Sequence, residues 1–174
     1  MRYNKIKSYA KINISIRILD KLTSKYHKIE SLFSFIKLHD EIFIKEINNK
    51  NHKIIFYGQF SKGIPKNNSI SNVLKLLEKK LCGKKYLIKI NKKIPQKSGM
   101  GGGSMNASSL LRFFIKNNKL NLSNKEIIKI SSKIGSDVVI GLQKKTSILY
   151  GNGNIKYLNN KINLYTLLIR PNFG

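Results

Sequence analysis

The 174 residues carry 34 lysines and arginines against 8 carboxylates, a formal charge of +26, and 41% of them are hydrophobic. That apolar share suffices for a packed core and excludes a disordered chain. The charge does not point to a specific nucleic-acid partner: only Arg2, Arg17, Arg112 and Arg170 are arginines, and the lysines are spread along the whole chain, whereas nucleic-acid readers use arginine forks and stacking aromatics.

Ser8 to Leu19 alternates with the period of a strand and places Ala10, Ile12, Ile14, Ile16 and Ile18 on one face, Lys11 and Asn13 on the other. Asp20 to Lys25 is turn-like. His27 to Ile36 reads as a second strand, Asp40 to Ile47 as a third and Lys53 to Tyr57 as a fourth. Gly58 to Asn68 reads as a loop. A helical period starts at Ser69, with Val73, Leu74, Leu77 and Leu81 on one side, and Gly83 ends it. Tyr86 to Lys92 alternates as a further strand. After a glycine-rich stretch, a helix is predicted to about Asn117 with Leu110, Leu111 and Phe114 inward. Ser123 to Ile134 reads as another helix, opened by the capping-box pair Ser123 and Glu126 and stopped by Gly135. Asp137 to Leu142 is a short apolar segment. Ser147 to Tyr150 and Leu164 to Ile169 read as strands separated by the turn Gly151 to Asn154. This mixture predicts an α+β domain.

No apolar run is long enough to span a bilayer, and no signal-peptide core follows the basic stretch Met1 to Ser8. Cys82 is the only cysteine and has no partner for an internal disulfide. The expected compartment is the reducing cytoplasm. Cys82, His39 and His52 read as structural or surface residues, and no His/Cys/carboxylate spacing suggests structural zinc. Arg170 to Gly174 looks like a strand leading into more protein.

Four glycines stand within the five residues Gly99 to Gly103. They let the backbone turn tightly and approach a ligand without side-chain clash. A strand precedes them and a helix follows, an order that aims backbone N–H groups and the positive helix end at an anion. The phosphate loop then runs Pro95, Gln96, Lys97, Ser98, Gly99, Met100, Gly101, Gly102, Gly103, Ser104, Met105. Ser104 adds a hydroxyl for a phosphate oxygen or a metal-bound water. The Gly-Lys-Ser/Thr ending of a Walker loop is absent, as is the glycine spacing of a dinucleotide fingerprint.

Pro95-x-x-x-Gly99-Met100-Gly101-Gly102-Gly103-Ser104-x-Asn106-Ala107 resembles the ATP motif of the GHMP kinases. Three further stretches agree with it in order. Ala10-Lys11-Ile12-Asn13 resembles the family's first-strand motif, Tyr26-His27-x-Ile29-x-Ser31-Leu32-Phe33 its substrate segment, and Ile134-Gly135-Ser136-Asp137-Val138 its catalytic aspartate motif. The resemblance implies a ribosomal-protein-S5-domain-2-like fold and ATP, with Mg²⁺, as phosphoryl donor to a hydroxyl of a cytidine diphosphate-linked methylerythritol. It implies residues 1–165 as the N-terminal ATP-binding domain and 166–174 as the start of a second domain. Little turnover is then expected from residues 1–174 alone. Alternatives are another GHMP small-molecule kinase, an inactive truncated chain, and an RNA-associated domain, which the shared fold type and the charge allow.

Asp137 is the expected general base, because a tertiary alcohol is a poor nucleophile until a carboxylate accepts its proton. Lys11 would pair with it and stabilise charge near the reacting hydroxyl. Asn13 is placed toward substrate or Lys11. Tyr26 would stack on the cytosine and His27 would bond its edge. Asn68 falls where the family has an asparagine toward the adenosine side. Lys25, Lys97, Met100 and Met105 depart from the family pattern, which has glycine, a small residue, leucine and a small or hydroxyl residue there.

Overall fold

A computed structural model describes residues 2–21, 27–117, 120–150, 154–159 and 165–169, with the backbone alone at 21, 27 and 28. A mixed six-stranded sheet forms from β1 (Asn4–Lys21), β2 (His27–Ile47), β3 (Lys53–Tyr57), β4 (Lys85–Asn91), β5 (Ser147–Leu149) and β6 (Ile155–Tyr157). Its order is β3-β4-β2-β5-β6, with β1 on the other flank of β2. Among the described strands only β3 and β4 run parallel. Four helices complete the domain: α1 (Ser69–Leu77), α2 (Gly102–Asn117), α3 (Asn124–Ile134) and α4 (Ser136–Gly141). The fold is α+β, as expected.

The core lies where the helices meet one face of the sheet. Strand residues Ile42, Ile44, Tyr86, Ile88 and Ile90 pack with Val73, Leu74 and Leu77 of α1 and with Ala107, Leu110, Leu111 and Phe114 of α2. Along β4 the alternation is plain: Tyr86, Ile88 and Ile90 are buried and the residues between them are half-buried. Each such apolar side chain, fully buried, contributes about 1.5–3 kcal/mol. Helix α2 is buried along most of its length, from Met105 to Leu111 and again at Phe113 and Phe114. The Ser123 cap stands where the sequence places it, and a second, at Asn68, was not foreseen. Ser123 and Glu126 bond reciprocally at the start of α3, and Asn68 forms a second capping box with Ser71 on α1.

Four expectations need correction. The two strands foreseen over 27–47 are one, because Lys37 to His39 contain no breaker and β1 pairs along both halves. The apolar segment from Asp137 is part of a short helix, too brief to show a period. Ile155–Tyr157 forms β6, whereas residues 165–169 lie in no strand and are exposed, without a pairing neighbour among the described residues. Finally, the isoleucines of β1 do not share one buried face. Ala10 is buried, but Ile14, Ile16 and Ile18 are 41%, 60% and 69% exposed. Register shifts between Tyr9 and Lys11, Asn13 and Ser15, and Ile18 and Asp20 break the alternation. The turn at 151–153 lies outside the described residues.

Candidate active site

The chain between β4 and α2 wraps around a cavity of about 390 Å³, lined by the loop from Pro95 to Gly99, by Gly101 to Ser104, and by Phe56, Ile64, Asn68, Lys92 and Asn106 among others. Gly99 and Gly101 have φ of +72° and +64°. These are left-handed conformations that suit glycine. Lys97 takes the same region at +54° and is exposed. Three side chains fix the loop's path. Gln96 donates through Nε2 to the Phe60 and Lys62 carbonyls, at 2.9 and 2.6 Å. Ser98 Oγ donates to the Pro95 carbonyl, and Ser69 Oγ at the head of α1 donates to the Gly103 carbonyl, each at 2.8 Å. The first N–H groups of α2, from Gly102 to Ser104, have no intrahelical acceptor and stand at the positive end of a 16-residue helix. Such a glycine loop and helix start present donors suited to an anion.

Asp137 lies in the first turn of α4, and its Oδ2 is 3.1 Å from Lys11 Nζ. The Lys11 side chain is 8% exposed and that of Asp137 33%. The expectation that Lys11 sits opposite the buried face of β1 does not hold. At the first register shift Ile36, Lys37 and Leu38 of β2 stand opposite Ala10 alone, and both Ala10 and Lys11 are buried. The Lys11 N–H is bonded to the Met100 carbonyl at 3.0 Å, so the strand is tied to the glycine loop. A Cβ placed on Gly101 would lie 3.6 Å from Asp137 Oδ2 and 3.7 Å from Lys11 Cε. The carboxylate and the ammonium therefore adjoin the loop.

Other expected site residues fall differently. The Asn13 amide donates to Ser31 Oγ at 2.7 Å, inside the β1–β2 pair. Met100 and Met105 are absent from the cavity wall: Met100 contributes its carbonyl to Lys11, and the Met105 side chain is buried in the core. Asn68 does line the cavity, but Oδ1 accepts the N–H groups of Ile70 and Ser71 and Nδ2 donates to the Pro65 and Lys66 carbonyls. Its amide is spent on the turn and the cap. Tyr26 lies outside the described residues, and of His27 only the backbone, at the start of β2, is described. Cys82 is exposed, and His52 bonds Glu78 and the Tyr86 N–H away from the loop.

Sequence reasoning missed Asp40, Lys92 and Asn106. They form a buried polar cluster under the loop, with Asp40 fully inaccessible. The scarcity of aspartate, only Asp20, Asp40 and Asp137, was a usable signal, since a carboxylate amid apolar strand residues needs a partner. A second, larger cavity of about 760 Å³ opens between β1, α2, α3 and α4 and shares no lining residue with the first. There burial, with the Arg112 charge adding to it, pushes the Lys144 ammonium below its ordinary pKa.

The glycine cavity fits a nucleotide on three observations: its volume, the glycine cradle, and a buried acceptor, Asn106 Oδ1, without a bonding partner. Among the described residues no three His, Cys, Asp or Glu side chains gather as a metal site, and no helix is long and apolar enough to cross a membrane.

Residues 68–151 match the family model described as GHMP kinases N terminal domain. The chain is 54% identical over 172 residues, 98% of its length, to a 4-diphosphocytidyl-2-C-methyl-D-erythritol kinase of Pelagibacter ubique, covering 61% of that relative. It is 36% identical over 173 residues to an enzyme of the same name from Anaplasma marginale, covering 96% of this chain and 58% of the relative. A crystal structure titled as 4-(cytidine 5'-diphospho)-2C-methyl-D-erythritol kinase superposes with a TM-score of 0.71 at 21% identity, over 89% of this chain and 55% of that one. The chain thus spans about three fifths of the length of the relatives it matches. Residues 68–151 thus match the N-terminal domain of the GHMP kinases, the glycine loop between β4 and α2 lies within that match, and the chain as a whole is similar to 4-diphosphocytidyl-2-C-methyl-D-erythritol kinases and shares their fold.

Proposed function

We propose that this chain supplies the ATP site and the catalytic pair of a kinase that phosphorylates the 2-hydroxyl of 4-diphosphocytidyl-2-C-methyl-D-erythritol. The observation that carries the reading is the 3.1 Å Lys11–Asp137 pair held against the glycine loop. ATP, with Mg²⁺, supplies the γ-phosphoryl group. The N–H groups of Gly102 to Ser104 and the end of α2 bind its phosphates. With the nucleotide bound, the Ser104 hydroxyl would be offered to a phosphate oxygen or to a water on the cation. Asp137 accepts the proton of the substrate hydroxyl as the new P–O bond forms. Lys11, buried and 3.1 Å from Asp137, stabilises the negative charge that develops there. Tyr26 and His27 are assigned to the cytidine end, and Asn13 to substrate or Lys11. The partner is a small molecule rather than a nucleic acid, and the setting the cytoplasm, in keeping with the lone thiol of Cys82.

The test is ADP release by the full-length protein with and without 4-diphosphocytidyl-2-C-methyl-D-erythritol, beside Asp137→Asn. Substrate-dependent release that falls by roughly 10²–10⁴-fold in the variant supports the reading. ADP release with homoserine or a sugar instead assigns another member of the family. Full activity in Asp137→Asn removes the base.

A further inference from the structure

The glycine loop is closed at its base by one carboxylate. Asp40 lies on β2, fully buried, and accepts four hydrogen bonds. Oδ1 takes the backbone N–H of Lys93 at 2.7 Å and of Ile94 at 2.9 Å, the two residues that lead into the loop. Oδ2 takes the Lys92 ammonium and the Asn106 amide, the latter at 2.9 Å from the first turns of α2, where the loop ends. Lys92 and Asn106 are 4% and 1% exposed. The strand-side and helix-side stems of the loop are thereby joined through a single side chain. The link is tight, because a Cβ on Gly102 would lie 3.3 Å from Lys92 Nζ and 3.1 Å from Ile94 Cγ2. The orientation of Asn106 follows from it: Nδ2 must face the carboxylate, which leaves the buried Oδ1 without a partner.

On electrostatic grounds a carboxylate under a phosphate loop has the wrong sign. A buried charge also costs several kcal/mol unless paired and bonded. Its place here is accounted for by what it holds. We propose that Asp40 is the positioning residue of the phosphate loop: it touches no ligand, and it sets the separation of the two stems so that the N–H groups of Gly102 to Ser104 converge on a nucleotide phosphate. The inference rests on the ATP reading above.

Positioning and charge predict opposite signs for Asp40→Asn. If the charge alone mattered, removing it would tighten ATP. If the bonds matter, ATP weakens, because an asparagine has one acceptor oxygen for four donors and must turn an NH₂ toward the Lys92 ammonium or the backbone N–H pair. The experiment is calorimetric titration of ATP into the full-length protein, into Asp40→Asn and into Leu81→Ala. Leu81 is 2% exposed and absent from the cavity wall, and its truncation lowers stability without touching the loop. The expected result is a rise of about tenfold or more in the ATP dissociation constant for Asp40→Asn. The constant for Leu81→Ala stays within about twofold, and kcat of Asp40→Asn at saturating ATP falls far less than kcat/KM. An ATP constant for Asp40→Asn that is unchanged or lower, while the parent binds, overturns the inference and leaves the ATP reading standing. A parent that binds no ATP overturns both. Where Asp40→Asn alone does not fold, the double variant Asp40→Asn/Lys92→Met removes the buried pair together. The same tenfold loss is then expected of it, and parent-like binding refutes the inference.

Discussion

Gly141, at the end of α4, offers a direct test of how Asp137 is held. A Cβ there would lie 2.8 Å from Ser108 Cβ and 3.1 Å from Met105 Cε, and would overlap Ser108 Oγ, on the crossing helix α2. The Met105 tip and the Ser108 hydroxyl can rotate aside, although the hydroxyl then gives up its 3.0 Å bond to the Met105 carbonyl. Ser108 Cβ cannot. Carbon atoms pack at about 3.5–4.0 Å, so Gly141→Ala must part the helices by roughly 0.7 Å or more. Overpacking of this kind costs about 1–3 kcal/mol, and replacing a helical glycine returns at most about 1. The net loss of about 1–2 kcal/mol lowers Tm by roughly 2–8 °C in a chain of this size. Asp137 lies one turn earlier on the same helix. A shift of that size, carried to a base that must meet a hydroxyl, is expected to lower kcat about tenfold, since a misplacement near 1 Å costs up to about 10²-fold. The assay pairs differential scanning fluorimetry with steady-state kinetics, and Ser108→Gly is the rescue: it removes the obstructing carbon, so the double variant recovers kcat even though glycine in α2 costs about 1 kcal/mol of stability. Unchanged Tm and kcat in Gly141→Ala, or a kcat loss that Ser108→Gly does not relieve, would refute the packing argument.

Lys97→Gly should raise Tm by about 1–3 °C, because a non-glycine residue at φ +54° pays about 1 kcal/mol that glycine does not; a fall in Tm contradicts this. Asn68→Ala should cost about 1 kcal/mol, the usual worth of a helix N-cap, with Asn68→Ser close to the parent in urea unfolding. Glu41 is bonded to Lys5 at 2.5 Å and to Lys93 at 2.9 Å, and these lysines, Lys5 first, hold its carboxyl at about 2, below the ordinary 4.5. A depressed carboxyl pKa gives stability that is present above pH 4.5 and lost as pH falls toward about 2. The stability gap between the parent and Glu41→Gln should therefore be widest above pH 5 and close on acidification; a gap independent of pH removes the ion pairs as its source.

The parts of the fold written locally were legible and the parts set by long-range pairing were not. Helices announced themselves through caps and period, as at Ser123 and Glu126 or Val73, Leu74 and Leu77. The glycine loop was legible because its chemistry lies within one stretch, from Pro95 to Ser104. Asp40 was not, since its partners stand 52 to 66 residues away. The continuity of β2 through Lys37, Leu38 and His39 was illegible for the same reason: the long-range pairing with β1 along both halves decides it.

Lys11 shows how such an illegible feature makes chemistry. In regular alternation Ala10 and Lys11 would point to opposite faces, and the lysine would join the many exposed ammonium groups of this chain. The extra residues of β2 opposite Ala10 interrupt the ladder there, which does two things at once. The Lys11 N–H leaves the sheet and bonds the Met100 carbonyl in the loop, while its side chain turns inward to Asp137. Loop, ammonium and carboxylate thus share one anchor point on β1. Conversely, deleting two of Ile36, Lys37 and Leu38, the two residues by which the register shifts, would restore the plain ladder and leave the glycine loop's own residues untouched, and is expected to break the Lys11–Asp137 pair and with it turnover.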